Sequence, residues 1–203
     1  MPPRRRHDAA LRRRLLEVGS EVISRHGADG LSLRTLAAEA GTTTAAVYTL
    51  FGSRRQLIEA VAAEGFERFG KHLDAVARTG DAAADLFSLG LAYRASALAD
   101  PHFYRVMFGL PGLHPAASEP TFVTLREAVE RLTGGPRKQA EEDAYRLWSL
   151  AHGLMDLELS GHLPGDESVR SERYAATLQS IGPAIIAAPP EPNDARSGFD
   201  HHR

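Results

Sequence analysis

The apolar residues of this chain recur with a helical period almost from end to end. Leu11, Leu15, Val18, Val22 and Ile23 fall at steps of four, three, four and one, with Arg12, Arg13, Glu17 and Glu21 outside the stripe. A period of 3.6 residues gathers such a set on one helix face. The pattern resumes at Leu57, Ile58, Val61, Phe66, Phe69, Leu73 and Val76, and again at Leu86, Phe87, Leu89, Leu91 and Tyr93. No segment alternates apolar and polar residues between turn signals, as a half-buried strand would. The chain therefore reads as all-α, with about nine helices.

Breakers and caps set the expected boundaries. Helices are expected over 8–26, 33–39, 43–51, 54–79, 81–98, 101–108, 120–132, 137–161 and 167–182. Ser32 and Thr43 stand where N-caps belong, and Ser53 with Gln56 has the spacing of a capping box. Residues 109–118, with two glycines and two prolines, read as a loop. The last helix is expected to stop or kink at Gly182-Pro183, and the Pro-rich residues 188–203 to form a disordered tail.

Charge is unevenly placed. Residues 1–55 carry ten Lys and Arg against five Asp and Glu, a net +5; the remainder holds fourteen against twenty-one, a net −7. A basic quarter on an acidic body suggests contact with a polyanion. The lack of cysteine excludes a disulfide framework, Cys-ligated zinc and a cysteine nucleophile. No apolar run nears the roughly 18 residues that span a bilayer, and the amino terminus lacks the apolar core of a signal peptide. A cytoplasmic location away from membranes is the expectation.

The densest signal is residues 31–58, LSLRTLAAEAGTTTAAVYTLFGSRRQLI. Two short helices meet through a turn at Ala40-Gly41, the layout of a helix-turn-helix. Leu33, Leu36, Ala37, Val47 and Leu50 can close a small core between them. Thr43, Thr44, Ala45, Tyr48 and Thr49 are left to face outward, slim enough for the second helix to enter a major groove. The segment resembles the DNA-binding domain of the TetR family of transcriptional regulators. Leu36-Ala37, Ala40-Gly41, Tyr48 followed by Phe51, and Ser53-Arg54 carry that resemblance. Arg54 stands where lysine is the family norm, Arg55 where an acid is frequent, and Leu50 where a polar or aromatic residue is common.

The resemblance implies roles on a double-stranded DNA operator. Ser32, Thr43, Tyr48 and Arg54 would hold phosphates, and Thr44, Ala45 and Thr49 would face bases. Arg34 would reach a base edge or a phosphate. Arg4, Arg5 and Arg6 would form an arm along the DNA or in its minor groove. Arg12, Arg13 and Arg14 read instead as a solvated helix face. The expected organisation is a DNA-binding unit over 1–55 and a ligand-binding and dimerisation unit over 56–187.

In that second unit, PHFYRVMFG at 101–109 and LWSLAHGLMDLELSGHL at 147–163 resemble a C-terminal subgroup known by a Trp–His–Gly signature, here Trp148, His152 and Gly153. The resemblance implies a helical bundle that encloses a small, largely apolar effector and pairs as a homodimer. Tyr93, Phe103, Tyr104, Met107, Phe108, Trp148, His152 and Met155 are candidate lining residues, although aromatics at helical spacing more often fill a solid core. Leu150, Leu154, Leu157, Ala175, Leu178 and Ile181 are candidates for a four-helix dimer interface, where Gly153 and Gly161 would permit close approach. The implied function is a repressor released from a near-palindromic operator by its effector, with the fourth helix and the one at 101–108 carrying the change. A helical scaffold without DNA binding would fit the acidic bundle but not the basic head. A metal-dependent enzyme would have only His152, Asp156, Glu158 and His162 to draw on, with no matching half-site and no nucleotide or serine-nucleophile motif. Neither catalysis nor a cofactor is expected.

Overall fold

The computed structural model describes residues 3–110 and 118–187. Within them lie nine helices and no strand: α1 (Pro3–His26), α2 (Leu33–Glu39), α3 (Thr44–Phe51), α4 (Arg54–Asp74), α5 (Ala82–Ala99), α6 (Pro101–Gly109), α7 (Ser118–Thr133), α8 (Arg137–Leu159) and α9 (Glu167–Ala187). Most of the loop expected over 109–118, and the tail at 188–203, lie outside the described residues.

Local chemistry fixes several ends. Ser32 Oγ accepts from the Thr35 amide at 3.4 Å, Thr43 Oγ1 from Ala46 at 3.2 Å and Ser53 Oγ from Gln56 at 3.1 Å. Each satisfies an amide that the helix start leaves unpaired, worth about 1 kcal/mol. Ser53 Oγ in turn donates to Gln56 Oε1 at 3.0 Å.

Two boundaries differ from expectation. α4 stops at Asp74, five residues early. The buried Asp85 carboxylate accepts from the Thr79 amide at 3.0 Å and from Thr79 Oγ1 at 2.8 Å, holding the chain in a loop ahead of α5. Asp81 then caps α5 through the amides of Ala83 and Ala84, both at 3.0 Å. α9, by contrast, continues through Pro183 to Ala187. Pro183 cannot donate within the helix, yet Ile185 and Ile186 beyond it are half-buried, and their packing outweighs one missing bond.

The apolar interior is divided. One core joins α1, α2, α3 and the first half of α4 around Leu15, Leu36, Val47, Leu57 and Val61. Each of these side chains is essentially fully buried, worth roughly 1.5–3 kcal/mol. A second core joins the rest of α4 (Phe66, Phe69, Leu73) to α5, α8 and α9. A small third one lies between α7 and α8 around Val129, Ala140 and Ala144.

α6 belongs to both large cores. Phe103 and Val106 enter the first, while Tyr104 and Met107 enter the second. α4 and α6 approach closely because Gly65 has no side chain: a Cβ there would stand 2.7 Å from Met107 Cγ.

Candidate nucleic-acid interface and ligand cavity

The turn between α2 and α3 follows from its residues. Gly41 adopts φ +69°, its amide donates to Ala38 O at 3.1 Å, and the Thr42 amide donates to Ala37 O at 2.8 Å. This left-handed stop closes α2 and reverses the chain into the Thr43 cap. Leu36, Ala37 and Val47 are buried beneath, and Leu50 packs half-buried against the same core.

On the outer side, Ser32, Arg34, Thr43, Ala45, Tyr48 and Thr49 are exposed, and Thr44 is half-exposed. Tyr48 stands out at 52 % exposure, an unusual position for a tyrosine with no need to meet solvent. Thr49 Oγ1 donates to Ala45 O at 2.9 Å, which leaves its lone pairs as acceptors. The α3 surface is thus uncharged, shallow and flanked by hydroxyls.

Arg54 differs from the free phosphate ligand that the resemblance implies. Its Nε donates to Leu31 O at 2.9 Å and its Nη2 to Ala28 O, so the guanidinium braces the α1–α2 connection. The arginine run on α1 is also partly engaged: Arg12 lies 4.9 Å from the Phe51 ring centroid, and Arg14 Nη2 donates to Glu39 O at 3.3 Å. The side chains of Arg4, Arg5 and Arg6 lie outside the described residues.

The second core surrounds a cavity of about 1120 Å³ between α4, α5, α6, α7, α8 and α9. Tyr93, Met107, Phe108, Trp148 and His152 line it. Three other expected lining residues do not. Phe103 turns into the first core, where the Arg68 guanidinium lies 4.2 Å from its ring. Met155 is wholly buried in the second core. Tyr104 sits behind the wall, its hydroxyl 2.7 Å from His152 Nδ1 and 2.9 Å from the Tyr93 hydroxyl, which is itself 3.2 Å from His152 Nδ1. Burial pushes the Tyr93 hydroxyl up to about 12 and raises Tyr104 as well. Burial lowers His152 despite the opposing charge of Asp156, so the imidazole is neutral at pH 7.

Lining residues not singled out from sequence include Phe122, Tyr145 and Pro183. The only advance signal for Phe122 was its place on an amphipathic helix. Among the described residues that line the cavity there is no Asp, Glu, Lys or Arg.

The expected dimer residues divide. Leu157 and Ile181 are exposed, at 44 % and 43 %, and Leu150 and Ala175 are half-buried. Leu154 and Leu178 instead pack on the second core, and Leu178 lines the cavity. Gly153 is open to solvent with nothing near it, whereas Gly161, at φ +75°, terminates α8. Glu158 is not a free carboxylate: it is buried against Arg94, with Oε1 2.7 Å from Nη2 and Oε2 3.0 Å from Nε. Among the described residues no group of three His, Asp or Glu is placed to hold a metal, and no helix is long and apolar enough to cross a membrane.

Comparison with known proteins addresses both halves. The profile described as "Bacterial regulatory proteins, tetR family" matches residues 15–61, and that described as "Tetracyclin repressor-like, C-terminal domain" matches 86–181. A structure of a protein of unknown function from Rhodococcus sp. RHA1 is 30% identical, with a TM-score of 0.69 over 86% of this chain and 94% of that one. A TetR-like transcriptional regulator from the same organism shares the fold at 18% identity, with a TM-score of 0.72 over 93% of this chain and all of that one. An HTH-type transcriptional regulator of Mycobacterium tuberculosis is 29% identical over 108 residues, half of this chain. The match spans 45% of that relative's length. Head and bundle each match their counterpart in order, and the chain belongs to the TetR family of bacterial transcriptional regulators.

Proposed function

We propose that this chain is a ligand-responsive repressor: a homodimer that holds a near-palindromic DNA operator in the cytoplasm and leaves it when a small molecule enters the bundle. The observation that carries the reading is the shared position of α6. Phe103 and Val106 are part of the core beneath the helix-turn-helix, and Met107 and Phe108, on the same nine-residue helix, form cavity wall. An occupant that moves this wall changes the seat of the DNA-reading head. It releases DNA only if it binds the displaced conformer better.

In this reading Thr44, Ala45 and Thr49 face bases, Ser32, Thr43 and Tyr48 meet phosphates, Arg34 reaches either, and the arm of Arg4, Arg5 and Arg6 adds non-specific attraction. Arg54 acts as a positioning residue. The head is residues 1–55 by charge, although its core borrows Leu57, Ile58, Val61 and Ala62 from α4. Residues 56–187 hold the effector and pair the subunits through the outer faces of α8 and α9, with Tyr145, Gly153, Leu157 and Ile181 at the seam. Membership of the Trp–His–Gly subgroup is part of the proposal and rests on Trp148 and His152 facing the cavity from one helix. No catalysis is assigned to it.

The test is selection of bound fragments from random double-stranded DNA with the full-length protein. Recovery of a sequence with two inverted half-sites about one helical turn apart is expected. No enrichment would overturn the reading in favour of a scaffold without DNA.

A further inference from the structure

We propose that the effector is an uncharged molecule with an aromatic or similarly apolar body, and that a carbonyl-type oxygen on it accepts a hydrogen bond from His152 Nε2–H. The inference rests on reading the cavity as the effector site and adds the chemical class of its occupant.

The proton inventory around His152 determines which nitrogen carries hydrogen. Three atoms meet: the hydroxyls of Tyr93 and Tyr104, 2.9 Å apart, and His152 Nδ1, at 3.2 Å and 2.7 Å from them. Among the described residues neither hydroxyl has another acceptor. If Nδ1 accepts, the Tyr104 proton goes to Nδ1 and the Tyr93 proton to the Tyr104 oxygen, so each proton has a partner. If Nδ1 carried hydrogen, three protons would meet two phenolic oxygens, to one of which, on Tyr93, the Trp148 indole also donates, and one donor would be left without a protein acceptor. An imidazolium has the same defect and is further opposed by burial. The ring is therefore neutral with its hydrogen on Nε2. That atom has no protein partner among the described residues and belongs to a side chain on the cavity wall.

The wall sets the remainder of the class. Without an ionised side chain among its described residues, it offers a carboxylate or an ammonium no counter-ion, and burying an unpaired charge costs several kcal/mol. The neighbours of His152 are aromatic: Phe108 at 4.9 Å and Trp148 at 6.2 Å between ring centroids. They favour a flat apolar body beside the donor. The volume of about 1120 Å³ suits a drug-sized molecule rather than a metabolite of a few atoms.

Three probes with one ring system separate the terms: 2-acetylnaphthalene, 2-ethylnaphthalene and 2-naphthoate, titrated calorimetrically into the full-length protein. The ketone is expected to bind about three- to tenfold tighter than the hydrocarbon, the worth of one hydrogen bond. The carboxylate is expected to bind at least about tenfold more weakly than the hydrocarbon. In His152→Asn an acceptor for the tyrosines is kept and the outer N–H is lost. There the ketone should lose its advantage over the hydrocarbon, the two being compared in the same variant. Equal binding of ketone and hydrocarbon to the wild type, tightest binding of the carboxylate, or a ketone advantage that survives in the variant would overturn the proposal while leaving the cavity as an effector site. Binding of none of the three would overturn the effector-site reading as well. The wild-type comparison stands even if the variant fails to fold.

Discussion

Arg68 Nη1 donates to Asp100 Oδ1 at 2.9 Å, joining the middle of α4 to the residue that precedes α6. The same guanidinium reaches Glu64 at 2.8 Å and Glu17 of α1 at 2.5 Å. One side chain thus ties the head to the helix that walls the cavity. Arg68→Met keeps an apolar stem over Phe103, removes all three ion pairs and leaves three carboxylates facing one another. The expected loss, on the order of 2 kcal/mol because the cluster is partly solvated, is read by equilibrium denaturation. A double-mutant cycle with Asp100→Asn should show a favourable coupling between the two residues.

Tyr48→Phe removes an exposed hydroxyl and nothing from the core. It is expected to weaken DNA binding by a similar factor on every sequence, roughly two- to tenfold, since phosphate contacts carry no base information. Binding assays on the selected operator and on scrambled DNA measure this. A changed order of preferred sequences would move Tyr48 to the base-reading set.

Arg54→Ala should act on the fold of the head. Two backbone carbonyls, of Leu31 and Ala28, lose a charged donor, at a cost of about 1–3 kcal/mol seen as a lower melting temperature. The slope of log affinity against log salt should stay unchanged, whereas a direct phosphate contact would flatten it by about one unit.

Stability should depend on pH through His152. Its folded-state affinity for protons is lowered by burial, so below the ordinary imidazole value of about 6.5 the unfolded chain takes up a proton that the folded chain resists. Its contribution is present above that pH and is lost as pH falls. Between pH 7 and pH 5 the melting temperature of the wild type should drop further than that of His152→Asn, as scanning calorimetry would report.

Leu157→Glu places a charge at the exposed seam of α8. It should shift the protein from dimer to monomer in sedimentation and abolish operator binding, since two half-sites can no longer be held together. A dimer that survives the change would move the interface elsewhere.

The helix-turn-helix was legible because its determinants are local: Ser32, Thr43 and Ser53 cap within three residues, and Gly41 closes its own turn. The end of α4 was not, since Thr79 is held by Asp85 from the following helix. Pro183 misled for the same reason: contacts beyond it outweigh its missing amide. The cavity was half-legible. Phe103 and Met107 lie four residues apart on one short helix, a spacing that predicts a shared face, yet α6 is wedged between two cores and sends them to different ones. Arg54 shows the limit of transfer by motif, because a cation in the family's place can turn inward to main-chain carbonyls.

A cavity with no ionised side chain among its described lining residues also bears on how the proposed effector arrives. The desolvation cost that bars an ionised compound from this interior is the cost that bars it from the hydrocarbon of a lipid bilayer. An effector of the class proposed above would share that property with compounds that cross a lipid envelope unaided, and in that role the regulator would respond to what diffuses in.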